Sequence, residues 1–273
     1  MITDKRELRQ IVLHRRIMAG HDAEFFLQNS AGKYISSVGI IPGTKEEPFK
    51  TTNGWVQQDN VAGEINIKPS KSVQQFVEWT HGTMQDLTDM IAPLNLAIQV
   101  VASAEYEEDQ LQTKEAMHAG CDPDMCVYTE KENPKPDVCG GVLRSAGGHI
   151  HLSWKNPLDH EKLAVVRNAD LFITLPGLFL DEDNRRRELY GKAGAYRPKT
   201  YGVEIRSPSN FWARSKSMMA WAYWQAIACV ANMDEADRYP NVEEVINTRD
   251  YDEASRIIAA FKIPMPKGAA HAV

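Results

Sequence analysis

Apolar and polar positions alternate along this chain with two periods, and the switches between them mark out the elements. Asp4-x-x-Glu7 has the form of a helix capping box, and Leu8, Ile11 and Val12 follow at helical spacing, so a first helix is predicted to end near Gly20. Residues 21–28 and 34–41 are strand-like and joined by Asn29-Ser30-Ala31-Gly32-Lys33, a hairpin-turn composition. After a polar loop opening at Ile41-Pro42-Gly43, residues 55–61 and 64–68 form two shorter strands around Gly63. Ser72-x-x-Gln75 caps a long helix that runs to about Ile91, where Pro93 stops it.

Residues 96–102 return to an apolar, β-branched strand, and the polar, proline-containing stretch 106–140 reads as an irregular insertion. Residues 143–154 form another strand. Residues 158–190 are helical in pieces broken at Pro176-Gly177, residues 191–199 form a cationic loop, and residues 200–207 a strand. From Phe211 the chain is mostly helical to about residue 262, and Trp212, Trp221, Tyr223 and Trp224 read as core packing. Strands and helices do not alternate regularly and no linker or repeat interrupts them. A single α+β domain over 1–273 with a mostly antiparallel sheet is therefore expected.

Composition narrows the function. The 273 residues are 43% hydrophobic and 25% charged, enough for a full core, and the net charge of -6 argues against a nucleic-acid binder. The densest basic run, Arg185-Arg186-Arg187, is flanked by Asp181, Glu182, Asp183 and Glu188 and reads as a solvated helix face or an anion clamp. No apolar stretch is expected to span a bilayer and the first residues lack the apolar segment of a secretory signal, so a cytoplasmic protein is expected. The four cysteines fit reduced thiols there; Cys121-x4-Cys126 with Cys139 lacks the usual zinc-knuckle spacing.

Candidate chemistry sits on the strands. Side chains two apart on a strand share a face, so Asp22 with Glu24, His149 with His151, and Glu204 with Arg206 project as pairs. Glu64 likewise shares a face with Asn66 and Lys68, and Asp59 lies just before. Each pair alone also fits a polar strand edge. Assembled on one sheet, they would crowd charges whose burial needs compensation, which a divalent metal holding a phosphate supplies. Gly147 and Gly148 before the histidines permit a close backbone or ligand approach. Lys192 and Arg197 lie on the cationic stretch 191–199, either an exposed loop or a clamp on phosphate or carboxylate. Gly39-x-x-x-Gly43-Thr44-Lys45 has the wrong spacing and order for a phosphate loop, so any nucleotide would be held by metals and basic side chains.

Three segments, in this order, resemble motifs of the glutamine synthetase and glutamate–cysteine ligase superfamily, and more closely the phage-encoded carboxylate–amine ligases, type 2. His21-Asp22-Ala23-Glu24-Phe25-Phe26-Leu27 is similar to a Glu-Pro-Glu-Phe-Phe-Leu strand, Gly148-His149-Ile150-His151-Leu152-Ser153 to a His-x-His-x-Ser strand, and Gly202-Val203-Glu204-Ile205-Arg206-Ser207-Pro208 to an Arg-x-Glu-x-Arg-x-Pro strand. The resemblance implies a curved antiparallel sheet with helices packed behind it, the site lying in its concave funnel. It also implies ATP as nucleotide and two or three magnesium ions held by Asp22, Glu24, Asp59, Glu64, His149 and Glu204. His151 and Arg206 would meet the phosphates, with Lys192 and Arg197 as weaker candidates, and Arg206, Asp59 and Arg197 are the catalytic candidates. Asp59 could serve as base only if it is not a ligand. Which histidine binds metal is left open.

Two departures stand out: Asp22 replaces the usual Glu, and Gly202 stands where the pattern has its first Arg, so Arg197 and Lys199 are the nearest cationic substitutes. The activity implied is ATP-dependent amide formation between small-molecule or peptide carboxylates and amines, with selectivity in residues 42–53 and 106–140; a homo-oligomer is compatible with the resemblance. The competing readings are a metal-dependent hydrolase or amidase built on the His-x-His strand, and a binding protein without turnover.

Overall fold

A computed structural model describes residues 1–117, 123–134, 141–181, 183 and 185–266. The strands are β1 (Met18–Asn29), β2 (Tyr34–Ile35), β3 (Phe49–Lys50), β4 (Trp55–Asp59), β5 (Ala62–Asn66), β6 (Leu96–Gln99), β7 (Ser103–Glu105), β8 (Met125–Cys126), β9 (Lys131–Glu132), β10 (Leu143–Ser145), β11 (Gly148–Ser153), β12 (Ala195–Lys199) and β13 (Gly202–Ile205). The helices are α1 (Lys5–Arg15), α2 (Val73–Ile91), α3 (Lys114–Met117), α4 (Asp159–Ala169), α5 (Leu175–Leu180), α6 (Arg186–Leu189), α7 (Lys216–Ala231), α8 (Glu243–Thr248) and α9 (Tyr251–Ala260).

The main sheet is open, in the order β3-β4-β5-β1-β11-β13-β12-β8-β9, with β2 and β6 paired to the far half of β1 and β7 with β10 forming a small second sheet. All pairings among the described strands are antiparallel. β1 is the organising strand. Its odd positions Ala19, His21, Ala23, Phe25 and Leu27 are buried, and they face a core completed by Phe76 and Leu87 of α2, Val165 of α4, and Tyr223 and Ile227 of α7. His21 packs edge-on between Phe76 and Trp212 and shares a hydrogen bond with Thr80. Because the helices take one face of β1, its even residues, Asp22 and Glu24 among them, are left to the other. The aromatic stretch read as core is core: Trp212, Trp221, Tyr223 and Trp224 are all buried.

Several expectations are corrected. β1 starts at Met18, because α1 closes at Arg16 in the left-handed conformation. Of residues 34–41 only Tyr34–Ile35 are strand, since the amides of Ile40 and Ile41 turn back onto the Ser37 carbonyl. Residues 96–102 pair only as far as Gln99. The helix does not break at Pro176. A π turn over Asp170–Thr174 joins α4 to α5, with the Leu175 amide reaching the Asp170 carbonyl. Proline cannot serve the carbonyl four residues back; here that carbonyl, Phe172, accepts from Gln225 Nε2 at 3.1 Å instead.

The resulting continuous helix Asp159–Leu180 is long and apolar enough to cross a membrane, contrary to expectation, and 78% of its most apolar window is buried inside the protein. In the run 185–187 only Arg185 is largely exposed; Arg186 and Arg187 are buried, so it is not a solvated helix face. The stretch 191–199 is not a loop throughout, because residues 195–199 form β12, paired to β13. Pro198 is tolerated there because β8 pairs only with Ala195 and Tyr196, leaving its other side unladdered. The insertion 106–140 holds α3 and the β8–β9 hairpin. Of the cysteines, Cys126 and Cys229 are buried free thiols, while Cys121 and Cys139 lie outside the described residues.

Gly202 explains one departure from the motif. Its φ of +152° is one that L side chains rarely adopt, and a Cβ there would overlap the Leu152 carbonyl oxygen of β11. No arginine fits this backbone. Gly202→Ala is expected to cost about 1–3 kcal/mol in urea unfolding; an unchanged midpoint would contradict this account of the β11–β13 contact.

Candidate active site

The sheet register writes the site. Directly opposed residues on neighbouring strands share a face. One row runs Gln57–Glu64–Glu24 across β4, β5 and β1. The next runs Trp55–Asn66–Asp22–His149 and extends onto β11. A third runs His151–Glu204–Arg197 across β11, β13 and β12. Arg206, two residues beyond Glu204, follows the same face. Six consecutive strands of the sheet, β4 to β12, thus contribute to one cavity of about 400 Å³.

Eight of the residues nominated from sequence line that cavity: Asp22, Glu24, Asp59, Glu64, His149, Arg197, Glu204 and Arg206. His151 lies next to it, its Nε2 3.1 Å from Asp22 Oδ2. Lys192 is exposed and lines neither this cavity nor the one beside His151. Lys199 is there instead, with Nζ 2.8 Å from Glu204 Oε2.

The acidic side chains form two adjoining groups whose donor atoms lie within 4.8 Å of one another, Asp22–His151–Glu204 and Glu24–Asp59–Glu64. In the first, the imidazoles of His149 and His151 flank the Asp22 carboxylate, each 3.1 Å away. Burial alone would raise Asp22, but those two imidazoles outweigh it and hold the carboxyl well below its ordinary range. Burial opposes ionisation of Glu204 too, and Asp22 adds to this. Arg206 and the two histidines prevail, and Glu204 falls to about 2. Arg197 sits 3.2 Å from Glu204, and Arg206 bonds to it directly. Three cations thus surround one fully buried carboxylate, an excess of positive charge turned toward the cavity.

In the second group the balance is reversed. Burial, then repulsion from Asp59, pushes Glu24 up to about 8 despite the Gly147 amide donating to Oε2 at 2.8 Å. Glu64 is raised well above its usual value by burial and by Asp22, Asp59 and Glu24, although Gln57 and Asn66 both donate to its Oε1. Such crowding is relieved either by holding protons or by binding a cation.

The atoms that a metal would take are those the protein leaves without a well-formed hydrogen bond. Asp22 Oδ1, His149 Nε2 and His151 Nε2 are buried in that state. Together with the oxygen-rich donor set, this fits hard divalent cations. Tyr201 orients one of these ligand candidates, its hydroxyl 2.6 Å from His151 Nδ1. The glycines before the histidines serve the approach expected of them. A Cβ at Gly148 would strike the Ser209 backbone, and one at Gly147 would strike the His149 ring.

The sequence reading passed over Gln57 and Trp55, although the alternation 55-57-59 places them beside Asp59. It also missed Lys45 from the loop before β3, Asp124 from the insertion and Tyr190. Asp124 Oδ2 lies 3.4 Å from Arg206 Nε, which also donates to the Tyr190 hydroxyl. No periodicity marks these three, because they come from loops.

Comparison with known proteins agrees with the motifs. Residues 143–260 match the family described as phage phiEco32-like COOH.NH2 ligase-type 2, which bears out the resemblance read from the strands β11 and β13. The fold is similar to the solved structure of a GmaS/ADP complex in conformation 1, with a TM-score of 0.50 at 11% sequence identity, covering 97% of this chain and 68% of that one. It is also similar to apo GmaS without ligand, with a TM-score of 0.47 at 11% identity over 94% of this chain and 67% of that one. At such identity the likeness to the GmaS/ADP complex concerns the fold alone: the antiparallel sheet backed by helices. Among curated proteins, none matches the sequence significantly.

The raised Glu24 makes a signed prediction. Its carboxyl releases a proton near 4.5 when unfolded but near 8 when folded. Stability from that retained proton is complete below the unfolded value and lost as pH rises through the folded one. His21, lowered to about 3, and His149, lowered to about 4, are neutral in both states above their unfolded 6.5 and add no slope there. Metal-free protein is therefore expected to lose thermal stability between pH 6.5 and about 8; Glu24→Gln should reduce that loss, and the raised Glu64 and His151 carry the remainder. Equal slopes in both proteins would contradict the burial of this carboxyl.

Proposed function

We propose that this chain is an ATP- and Mg²⁺-dependent carboxylate–amine ligase, forming an amide or peptide-like bond through an acyl phosphate. The observation that carries the reading is the meeting, in one cavity, of two oxygen-rich donor groups and a wall of cations around Glu204. The match of residues 143–260 to a carboxylate–amine ligase family supports the reaction class. ADP in the complex of the GmaS neighbour accords with a nucleotide here.

Asp22, Glu204 and one of the paired histidines would hold one divalent cation; Glu24, Asp59 and Glu64 would hold another. When bound, such ions neutralise the polyphosphate and align its terminal phosphoryl group. The protein's own contribution is charge and orientation. Arg206, fixed against Glu204 and the Tyr190 hydroxyl, and Arg197 and Lys199 beside it, would stabilise negative charge on the phosphoryl group in transfer. An oxygen of the substrate carboxylate takes the γ-phosphoryl group and ADP leaves. The amine nitrogen then attacks the activated carbonyl carbon, inorganic phosphate leaves, and the nitrogen gives up a proton. We read Asp59 as a ligand rather than the base, because it completes the second donor group.

A zinc hydrolase is the alternative with a physical footing, since one imidazole and two carboxylates also suit zinc. Incubation with ATP, Mg²⁺ and pooled amino acids, followed by ADP quantification and mass spectrometry of new amides, separates the readings. ADP and an amide product dependent on both substrates are expected, with metal analysis showing weakly held Mg²⁺. Arg206→Lys and Glu204→Gln should each lower ADP release by about 10²-fold or more. Tightly bound zinc with nucleotide-independent amide hydrolysis would overturn the ligase reading.

A further inference from the structure

We infer that Tyr190 is a positioning residue for Arg206, locked in place by the buried guanidinium of Arg186. The inference rests on the ligase reading for what Arg206 does, but its geometry stands apart from that reading. The hydroxyl of Tyr190 accepts a hydrogen bond from Arg206 Nε. Its ring also lies against two guanidinium groups, with the Cζ atoms of Arg206 and Arg186 5.3 and 5.4 Å from the ring centroid. The His149 imidazole meets the same ring edge-on at 6.1 Å. One aromatic side chain therefore touches both Arg206 and the His149 imidazole that flanks Asp22.

Arg186 anchors this arrangement from behind. It is only 2% exposed, and it donates from Nη1 to the Ser207 carbonyl at 2.9 Å and from Nη2 to the Arg206 carbonyl at 3.2 Å. A buried guanidinium whose bonds go to carbonyls of the motif strand holds the backbone of Arg206 while its flat face holds Tyr190. Gly191 makes room for it: at φ +75° it lies so close that a Cβ would overlap the Arg186 guanidinium. The segment carrying these residues is itself tied down. Ser209 Oγ donates to Asp181 Oδ2 at 2.5 Å, Ser103 to Asp183, and Arg185 Nη1 to Glu105 Oε1 at 2.6 Å. The basic run thus divides its labour: Arg185 anchors the segment at the surface, and Arg186 fixes the aromatic clamp on the site.

A double-mutant cycle between Tyr190 and Arg206 tests this, read by ADP release and by binding of MgADP. Tyr190→Leu is expected to lower kcat by about 10–100-fold, misplacement of a charged group being costly, while the MgADP Kd moves less than about threefold. Tyr190→Phe, which keeps the ring, should recover part of the loss. In the Arg206→Lys background Tyr190→Leu should add almost nothing, because the two act as one unit. Multiplicative losses in the double variant would overturn the proposal.

A second readout needs no nucleotide. In ¹⁵N spectra the Arg206 Nε–H, assigned by its loss in Arg206→Lys, should be protected from exchange in the native protein. That protection should fall sharply in Tyr190→Phe and persist in the exposed control Glu78→Gln on α2. Persistence in Tyr190→Phe would overturn the clamp. A wild type that releases no ADP yet shows this spectral pattern would sink the ligase reading and leave the clamp standing.

Discussion

Everything in this structure follows from placing five carboxylates on one face of a sheet whose other face is occupied by the core. The pleat of β1 leaves no choice: with Ala23, Phe25 and Leu27 buried against helices, Asp22 and Glu24 must share the opposite side. The registers of β5, β11 and β13 then bring Glu64, His149, His151 and Glu204 alongside them. Like charges at such spacing in a buried setting are not self-consistent. The protein answers in two ways within a few ångströms. Around Glu204 it supplies its own cations, and that carboxyl is driven down; around Glu24 and Glu64 it supplies amides and neutral side chains, and those carboxyls are driven up. This asymmetry separates a cation-rich half of the cavity from a half whose crowded carboxyls call for protons or a cation.

The rest of the fold serves that face. The second apolar cluster, with Phe26, Val61 and Tyr106, closes one end of it, and Gly202 allows β13 to press close enough to β11 for Glu204 to stand opposite His151. The π turn in the long helix carries Pro176 without ending the helix, which runs on to Leu180. Arg186 and Tyr190 then arrive at the back of Arg206. Stability and chemistry meet at Arg186, whose hydrogen bonds bury its own guanidinium and hold the backbone of Arg206.

Much of this was legible in the sequence, for a physical reason. A period of two is written directly in strands, so His149–His151, Glu204–Arg206 and Asp22–Glu24 announce their shared faces without any structure. The missing arginine at Gly202 even pointed to Arg197 and Lys199, which do gather at Glu204. What stayed hidden came from other geometry. Lys45, Asp124 and Tyr190 reach the site from loops, where no repeat fixes direction. Arg186 and Arg187 looked like a solvated basic run, because burial of a guanidinium depends on distant carbonyls that local charge patterning does not reveal. Residues 195–199 were hidden by Pro198 and by Gly191 and Gly194 just before them, which outweighed an edge-tolerant strand.

The account turns on whether the two acidic groups are cation sites. Crystals grown with Mn²⁺ and a non-hydrolysable ATP analogue, read by anomalous scattering, address this most directly. The account predicts separate manganese peaks, one among Asp22, a neighbouring histidine and Glu204 and one among Glu24, Asp59 and Glu64, with the terminal phosphate facing Arg206. Manganese bound elsewhere, or a nucleotide seated away from these carboxylates, would contradict it.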